Sequence, residues 1–403
     1  MYIDLRTNEK QEIWKRRVPP LVALAMVIIL AGAAAWFLVG KASRVKNEMS
    51  TEIVQFRPQS KPAPTPKPPA WRYIPGPISM DLVKSKGCVA DGFLSEYGGK
   101  TKQMVKLINR SECTYLHRAL ETWLDQPDFE KASEIMQKVE KRPMVYGMFL
   151  AEAISAKGEY DDPLTGKDYG FSQMCREGSE NRWGDHTCIP SVQKPEYRRY
   201  LRSITRQAMN LGIQGFLFGQ IMLQDERPGG NTADIEKVLG EMRRYANELG
   251  IDIIIGAQTN SITDERYLRL FDYIEGGIGI DSQGQIENGP CLSGKGGCWA
   301  LLWHDNFRLR ANDVILHLDW SGLPWDDMGI FARMDRNTRA KTLSNLHQFF
   351  SSRKMGFLMP FLAVLNKENN GCYGPDKHFY SPDHNYRCKD EEAINKILRG
   401  TYR

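Results

Sequence analysis

The sequence predicts an α/β protein in which a TIM-like (β/α) barrel, regular or irregular, follows an N-terminal transmembrane helix and a Pro-rich linker. Residues 21–39 are apolar and uncharged, residues 55–70 are rich in proline, and strand-like and helix-like segments alternate from residue 144 onward. Strands that alternate with helices pair in parallel through right-handed crossovers. The predicted domains are a cytosolic tail (1–20), the transmembrane helix (21–39), an extended linker (40–71) and an extracytoplasmic β/α barrel domain (72–403).

The apolar run at residues 21–39 is long enough to cross a ~30 Å hydrocarbon core. Lys15, Arg16 and Arg17 precede it, and cations at this position favour the cytosolic side. A cleaved signal peptide is the alternative, although the apolar core of such peptides is usually ~7–15 residues. We therefore expect a single-pass membrane protein with a cytosolic N-terminus, whose main domain is periplasmic or otherwise extracytoplasmic. The Pro-rich run favours an extended spacer between the bilayer and that domain.

All eight cysteines follow the apolar run, and six of them form pairs that are close in sequence. The close pairs are Cys175/Cys188, Cys291/Cys298 and Cys372/Cys388, and Cys88 and Cys113 remain. This pattern is typical of disulfide staples in an oxidising compartment, although eight cysteines allow ~105 connectivities. A zinc site is disfavoured because C-x-x-C is absent and no histidine lies at ligand spacing from a cysteine pair. We expect neither a metal nor a cofactor.

Composition excludes some classes of protein. Charged residues make up 26% of the 403 residues and hydrophobic residues 41%, which is typical of a folded globular protein. The net charge of +5 comes from acids and bases mixed along the chain, so a nucleic-acid partner is not expected.

The predicted elements of the barrel domain follow one another in a regular order. Strands are predicted at residues 144–151, 215–223, 251–257, 273–280, 313–320 and 355–365, and residues 88–94 could supply a seventh. Helices are predicted at residues 111–124, 129–139, 197–210, 233–249, 264–271 and 339–352. An open doubly wound sheet is the alternative, but no G-x-G-x-x-G and no G-x-x-x-x-G-K-[ST] follows any strand. We therefore favour the barrel.

Polar side chains accumulate where the predicted strands end, which is where the working groups of a barrel lie. Alternation along residues 313–320 places Ile315, His317 and Asp319 on the lumen face. A charged carboxylate in a lumen is costly unless it is paired or used. Glycoside hydrolysis needs two carboxyl groups, one to protonate the leaving oxygen and one to serve as nucleophile or base. We predict Glu275 and Asp319 as this pair, with Glu152 in reserve.

Amide and aromatic side chains complete the predicted site, since aromatic faces suit the apolar faces of sugar rings. The predicted substrate-binding residues are Gln220, Gln258, Asp281, Trp303, His317 and Trp320. Structural roles compete with these assignments. Glu275 would then be an ion-paired acid, Asp319 a turn cap and His317 a satisfied core histidine.

Two runs of sequence resemble consecutive units of TIM-barrel glycoside hydrolases. They are YRRYLRSITRQAMNLGIQGFLFG at residues 197–219 and VLGEMRRYANELGIDIIIGAQ at residues 238–258. The resemblance is to the clan rather than to a specific family, and it covers roughly residues 144–365. Where many of these enzymes carry an acid, this chain offers the amide of Gln258.

Taken with the predicted membrane anchor, the resemblance leads us to expect a membrane-anchored glycoside hydrolase-like enzyme that acts on an envelope or exported polysaccharide. The alternative is a non-catalytic carbohydrate-binding or scaffold protein of a cell-envelope assembly, and a lumenal enzyme of the Golgi type has the same topology. The expected partners are a polysaccharide or other glycan, the lipid bilayer through the N-terminal helix, and envelope proteins.

Overall fold

The computed structural model describes residues 73–163, 165–226, 232–286, 302–320, 326–366 and 370–402, all within one compact unit, Thr65–Arg403. The predicted tail, transmembrane helix and linker lie outside these ranges, as do Cys291 and Cys298. Within the described ranges, no helix combines the length and apolar character needed to cross a membrane.

Strands and helices alternate along the described chain. The strands are β1 (Gly87–Ala90), β2 (Tyr115–Glu121), β3 (Val145–Leu150), β4 (Ile154–Ser155), β5 (Thr187–Cys188), β6 (Gly215–Phe218), β7 (Ile254–Gln258), β8 (Tyr273–Gly277), β9 (Val314–His317), β10 (Gly356–Phe357), β11 (Met359–Val364) and β12 (Phe379–Tyr380). The helices are α1 (Met80–Lys86), α2 (Thr101–Arg110), α3 (Phe129–Lys138), α4 (Phe171–Met174), α5 (Pro195–Leu211), α6 (Ile221–Gln224), α7 (Ala233–Leu249), α8 (Glu265–Leu268), α9 (Asp305–Arg308), α10 (Asp327–Arg333), α11 (Arg336–Ser351) and α12 (Glu391–Arg399).

The main sheet curls until its two ends meet. β1, β2, β3, β6, β7, β8 and β9 pair in parallel in this order. β10 pairs with β9, and β11 pairs with β1, again in parallel. Only Leu358 separates β10 from β11, and its N–H donates to the carbonyl oxygen of Leu316 at 2.9 Å. One extended segment therefore joins the two ends of the sheet, an arrangement compatible with the predicted TIM-like barrel.

Apolar side chains separate into a group inside the ring and a larger group between the sheet and the helices. The predicted alternation along β9 is confirmed, because Ile315 packs with the inner group while Val314 and Leu316 pack with the outer one. Tyr115 and Tyr273, the first residues of β2 and β8, belong to the inner group. Their rings fill the lumen at its N-terminal end.

Glycines on neighbouring strands make room for these two rings. A Cβ atom on Gly147 or Gly215 would lie 2.8 or 2.7 Å from the hydroxyl oxygen of Tyr115, and one on Gly256 would lie 2.2 Å from the ring of Tyr273. Such contacts are too short for real Cβ atoms. The pairing of small with large residues is how a barrel interior is packed without voids.

The helix predicted at residues 111–124 is wrong, because this segment contains β2. Both faces of β2 are buried, one against the lumen and the other against the helices, so its apolar residues do not show the alternation of a half-exposed strand. Pairing with β1 and β3 decides the outcome. The predicted strand at residues 215–223 is also too long, since β6 ends at Phe218 and α6 begins at Ile221.

All three of the predicted disulfides that fall within the described residues are present: Cys88–Cys113, Cys175–Cys188 and Cys372–Cys388. The first joins β1 to the residues just before β2, the second lies in the long connection between β4 and α5, and the third lies in the segment between β11 and α12. Three disulfides in one domain are typical of a protein that folds in an oxidising compartment.

Candidate functional site

The carboxylate of Glu275 lies at the centre of the lumen and is fully buried. Its Oε1 accepts a hydrogen bond from Nε2 of Gln258 at 3.2 Å and lies 3.1 Å from Nε2 of His317. Its Oε2 lies 2.5 Å from Nε2 of His117. Burial raises the pKa of Glu275, but the charges and hydrogen bonds of His117 and His317 outweigh burial and hold this pKa well below its usual range. Glu275 is therefore an ionised carboxylate held by side chains from three other strands.

His317 faces an acceptor at each of its ring nitrogens. Nδ1 lies 3.1 Å from the carbonyl oxygen of Leu318, and Nε2 faces the Glu275 carboxylate. Burial lowers the pKa of His317, but Glu275, Asp319 and the carbonyl group of Leu318 together raise it by more, so the net shift is upward. These partners assign a proton to both nitrogens. The imidazolium ring then lies 4.5 Å from the ring of Trp320.

A chain of polar contacts crosses the lumen from β2 to β9. The hydroxyl of Tyr115 lies 2.8 Å from Nδ1 of His117, whose other nitrogen contacts Glu275, which in turn contacts His317. All four side chains are buried. A buried polar network of this kind fixes the relative positions of the strands that carry it.

Arg118 enters the same lumen because β2 is irregular. Leu116 pairs with Tyr146, and Leu120 pairs with Met148. Between these two pairs, β2 uses four residues where β3 uses two, so β2 contains a bulge. Adjacent residues in a regular strand point to opposite faces, whereas this bulge lets both His117 and Arg118 face inward. The guanidinium carbon of Arg118 lies 3.8 Å from the ring centroid of Phe149 and 4.5 Å from that of Trp320.

Two acids share the guanidinium of Arg118. Its Nε lies 3.2 Å from Oδ1 of Asp91, and its Nη2 lies 3.0 Å from Oε1 of Glu121. Burial raises the pKa of both acids. For Asp91, Arg118 opposes the rise and Glu121 reinforces it, which leaves this pKa well above its usual value. Asp91 is therefore the acid whose neutral form the surroundings favour more strongly, and Glu121 is the carboxylate that accepts a hydrogen bond from Nε of Arg118 at 3.1 Å.

Glu152 follows β3 and is 3% exposed. Its Oε1 accepts a hydrogen bond from Nε2 of Gln220 at 2.6 Å, whereas its Oε2 is buried and has no hydrogen-bond partner among the described residues. Burial raises the pKa of Glu152. Oε1 of Gln258 accepts the N–H of Gln220 at 3.2 Å, so Gln258 links the Glu152 side of the site to Glu275.

Asp319 is the half-buried carboxyl group of the site. Burial raises its pKa to about 6, against the opposing charge of His317. The backbone N–H of Asp319 donates to Oδ2 of Asp327 at 3.1 Å, and Asp327 also accepts the N–H groups of residues 278–280. A Cβ atom on Gly277 would lie 2.6 Å from Cβ of Asp319. Asp327 thus anchors the backbone on which Asp319 sits, and Gly277 leaves room for its side chain.

The structure brings together most of the residues that the sequence predicts for the site. Those at the C-terminal end of the lumen are Glu152, Gln220, Gln258, Glu275, His317, Asp319 and Trp320. Two others lie elsewhere. Asp281 accepts the backbone N–H groups of residues 283 and 285 and so closes a turn. Trp303 stacks on His304 and packs against Phe349 of α11 on the outside of the ring.

Sequence reasoning missed four residues of the site: Asp91, His117, Arg118 and Glu121. Three of them lie in β2, which was predicted as a helix, and a helix outside the barrel places no side chain in the lumen. The signal that could have identified them is a histidine, an arginine and a glutamate within an otherwise apolar run of strand length at residues 115–121.

No family model matches this sequence, and no curated protein matches it. Among solved structures, the chain is similar to a GH27 β-L-arabinopyranosidase from Geobacillus stearothermophilus, with 9% identity, 48% of this chain and 54% of that chain covered, and a TM-score of 0.30. The match therefore spans about half of that enzyme's length.

Two further likenesses cover more of this chain. The glycoside hydrolase domain of PelA from Pseudomonas aeruginosa is 11% identical over 60% of this chain and 93% of that one, with a TM-score of 0.36. A debranching enzyme from Nostoc punctiforme is 9% identical over 84% and 77%, with a TM-score of 0.43. All three TM-scores lie below 0.5, so these likenesses carry no argument about activity.

Proposed function

We propose that this chain is a glycoside hydrolase-like enzyme, held to a membrane by its N-terminal segment, that acts on an envelope or exported polysaccharide. One observation carries the proposal. Asp319, a half-buried carboxyl group with its pKa raised to about 6, lies two residues beyond His317, the last residue of β9 and the partner of the ionised Glu275. Carboxyl groups whose pKa values are driven apart by their surroundings are typical of acid catalysis on glycosides.

The roles follow from protonation and access. Asp319 carries a proton below about pH 6 and is the group that donates it to the glycosidic oxygen. Glu275 keeps its charge, and both of its oxygens are already in contact with donors. Its role is therefore electrostatic: it stabilises the positive charge that develops on the sugar. Glu152, with its unpartnered Oε2, is the reserve carboxylate for the water. Aromatic Trp320, half-buried beside His317, offers a face to the sugar ring.

A non-catalytic glycan-binding protein is the second candidate, and one observation favours it. Glu275 is fully buried and its oxygens are occupied by histidine and amide donors, as expected for a structural anion.

A glycan-panel assay separates the two candidates. The full chain in detergent micelles is incubated with polysaccharides, and the release of reducing ends is measured for the wild type, Asp319→Asn and Glu275→Gln. The enzyme proposal expects release by the wild type and a loss in both variants. If the wild type binds a glycan but releases no reducing ends, the glycan-binding candidate is favoured. If both variants still release reducing ends, the assignment of Asp319 and Glu275 as the catalytic pair is wrong.

A further inference from the structure

The lumen holds more acidic groups than cations to balance them. On one side, Arg118 alone pairs with both Asp91 and Glu121. On the other, His317 and His117 serve Glu275. Glu152 has no ion pair among the described residues, although Arg118 and Glu121 act on it electrostatically. The described part of this region therefore carries an excess of negative charge.

Protonation of one acid reduces this excess of negative charge, and Asp91 is the acid whose neutral form is favoured. Asp91 is 1% exposed, and its carboxylate has the ion pair with Nε of Arg118 at 3.2 Å but no hydrogen bond from the described residues to either oxygen. An ionised carboxylate without donors is costly in such a place. The proton held between Asp91 and Glu121 removes that cost, and a second cation would do the same.

Glu152 supplies an independent observation. Glu152 is only 3% exposed, and no described residue donates a hydrogen bond to its Oε2. A Cβ atom on Gly219 would lie 2.3 Å from this oxygen and 2.4 Å from the ring of Phe149, so the glycine makes room for both groups. Buried acceptors in native proteins are nearly always satisfied by protein, water or ligand, so Oε2 of Glu152 has capacity for a donor from outside the described residues, close enough to Glu121 to interact with it electrostatically.

We propose that this acid-rich side of the lumen, formed by Asp91, Glu121 and Glu152, binds an ammonium group of the glycan, so that the substrate is a polymer containing free amino sugars. The inference rests on the proposed function and names the substrate class of that same site. An ammonium group has three donors and one positive charge, which matches an acceptor without a donor and an acid pair that is one cation short. On binding, the proton between Asp91 and Glu121 leaves to solvent as the ammonium group takes its place.

Calorimetry on the full chain in detergent micelles tests this at pH 6. The ligands are glucosamine hexamers in β-1,4 and β-1,6 linkage, each beside its fully N-acetylated form. We expect at least one amino hexamer to bind about tenfold or more tightly than its acetylated partner, a difference of ~1.4 kcal/mol. Repeating the titration in buffers of different ionisation enthalpy should show that protons are released on binding.

Two variants and one control localise the effect. Glu152→Gln and Glu121→Gln should each reduce the preference for the amino hexamer to less than about threefold. Glu177→Gln removes a surface carboxylate whose side chain is 91% exposed, and it should leave the preference unchanged. Each variant is first checked for a wild-type circular dichroism spectrum and melting profile.

Equal binding of amino and acetylated hexamers by the wild type would overturn the inference, and so would no binding of either, or a preference that persists in both variants. The wild-type comparison needs no variant, so a folding defect cannot rescue the inference. A preference for the amino hexamers without hydrolysis would support the ammonium site and reject the enzyme proposal, whereas hydrolysis without the preference would do the reverse.

Discussion

Nε2 of His117 lies 2.5 Å from Oε2 of Glu275, and this contact joins β2 to β8 across the lumen with both side chains buried. The two strands are not neighbours in the sheet, since β3, β6 and β7 lie between them on one side. The contact therefore ties together opposite walls of the ring, and it keeps Glu275 ionised.

Glu275→Gln should destabilise the fold strongly. The substitution preserves the shape of the side chain but leaves the His317 imidazolium without its carboxylate partner. Removing one partner of a buried ion pair costs ~3–5 kcal/mol, and we expect a loss in this range from urea unfolding monitored by tryptophan fluorescence. Glu177→Gln, at an exposed ion pair, should change the free energy of unfolding by less than ~0.5 kcal/mol. Similar values for the two variants would show that the Glu275 cluster contributes little.

Asp319→Asn should change the pH dependence of stability in one direction. The raised pKa of Asp319, about 6 against 3.8, means that the folded state binds a proton that the unfolded state has lost. Ionisation of Asp319 in the folded state then lowers the free energy of unfolding. This loss of stability is absent below about pH 4 and reaches its full size above about pH 6. The variant should therefore gain stability relative to the wild type as pH rises from 4 to 7. The free energy of unfolding of both proteins at several pH values measures this, and a constant difference would contradict it.

The hydrolysis proposed above should be acidic in its pH profile. If Asp319 donates the proton, kcat/KM falls tenfold for each pH unit above about 6, where the pKa of this group lies. Asp319→Asn should lower kcat by a factor of ~10²–10⁴ and abolish this descending limb. If the decrease of kcat/KM above about pH 6 persists in Asp319→Asn, the general acid is another residue.

Gly277→Ala tests the space that Asp319 needs. The added methyl group would lie 2.6 Å from Cβ of Asp319, so either the end of β8 or the segment after β9 has to shift, and the position of the carboxyl group changes. We expect a loss of activity of at least tenfold, with a destabilisation of ~1–3 kcal/mol from overpacking.

Gly240→Ala is the matched control for Gly277→Ala. Gly240 lies within α7, and a Cβ atom there would meet nothing within 4 Å. This substitution should stabilise the protein by ~0.5–1 kcal/mol through helix propensity and leave activity unchanged. Equal effects of the two substitutions would show that the contact with Asp319 is unimportant.

Much of the ring could be predicted from the sequence because its strands are apolar runs separated by amphipathic helices. The alternation in residues 313–320 was enough to place His317 and Asp319 on the lumen side. β2 could not be recognised in this way, since its two buried faces erase the alternation, and its bulge places His117 and Arg118 on the same side. Such irregular pairing depends on the neighbouring strand, which local sequence does not encode.

The predicted pair of carboxylates shows a second limit. Sequence position placed Glu275 and Asp319 on neighbouring strands, but their opposite pKa shifts depend on partners distant in the chain. His117, which lowers the pKa of Glu275, is more than 150 residues away in sequence. Trp303 and Asp281 were selected by residue type and by position near a strand end, and neither criterion reports the direction of a side chain in a loop.

The short junction at Leu358 has a consequence for biosynthesis. β1 is made early, yet one of its two neighbours is β11, with Val89 paired to Pro360. Until the ribosome has passed that point, both β1 and β9 present bare edges of N–H and C=O groups, and such edges recruit other chains. A nascent or truncated chain that stops before residue 359 is therefore expected to aggregate rather than to accumulate as a partly folded monomer.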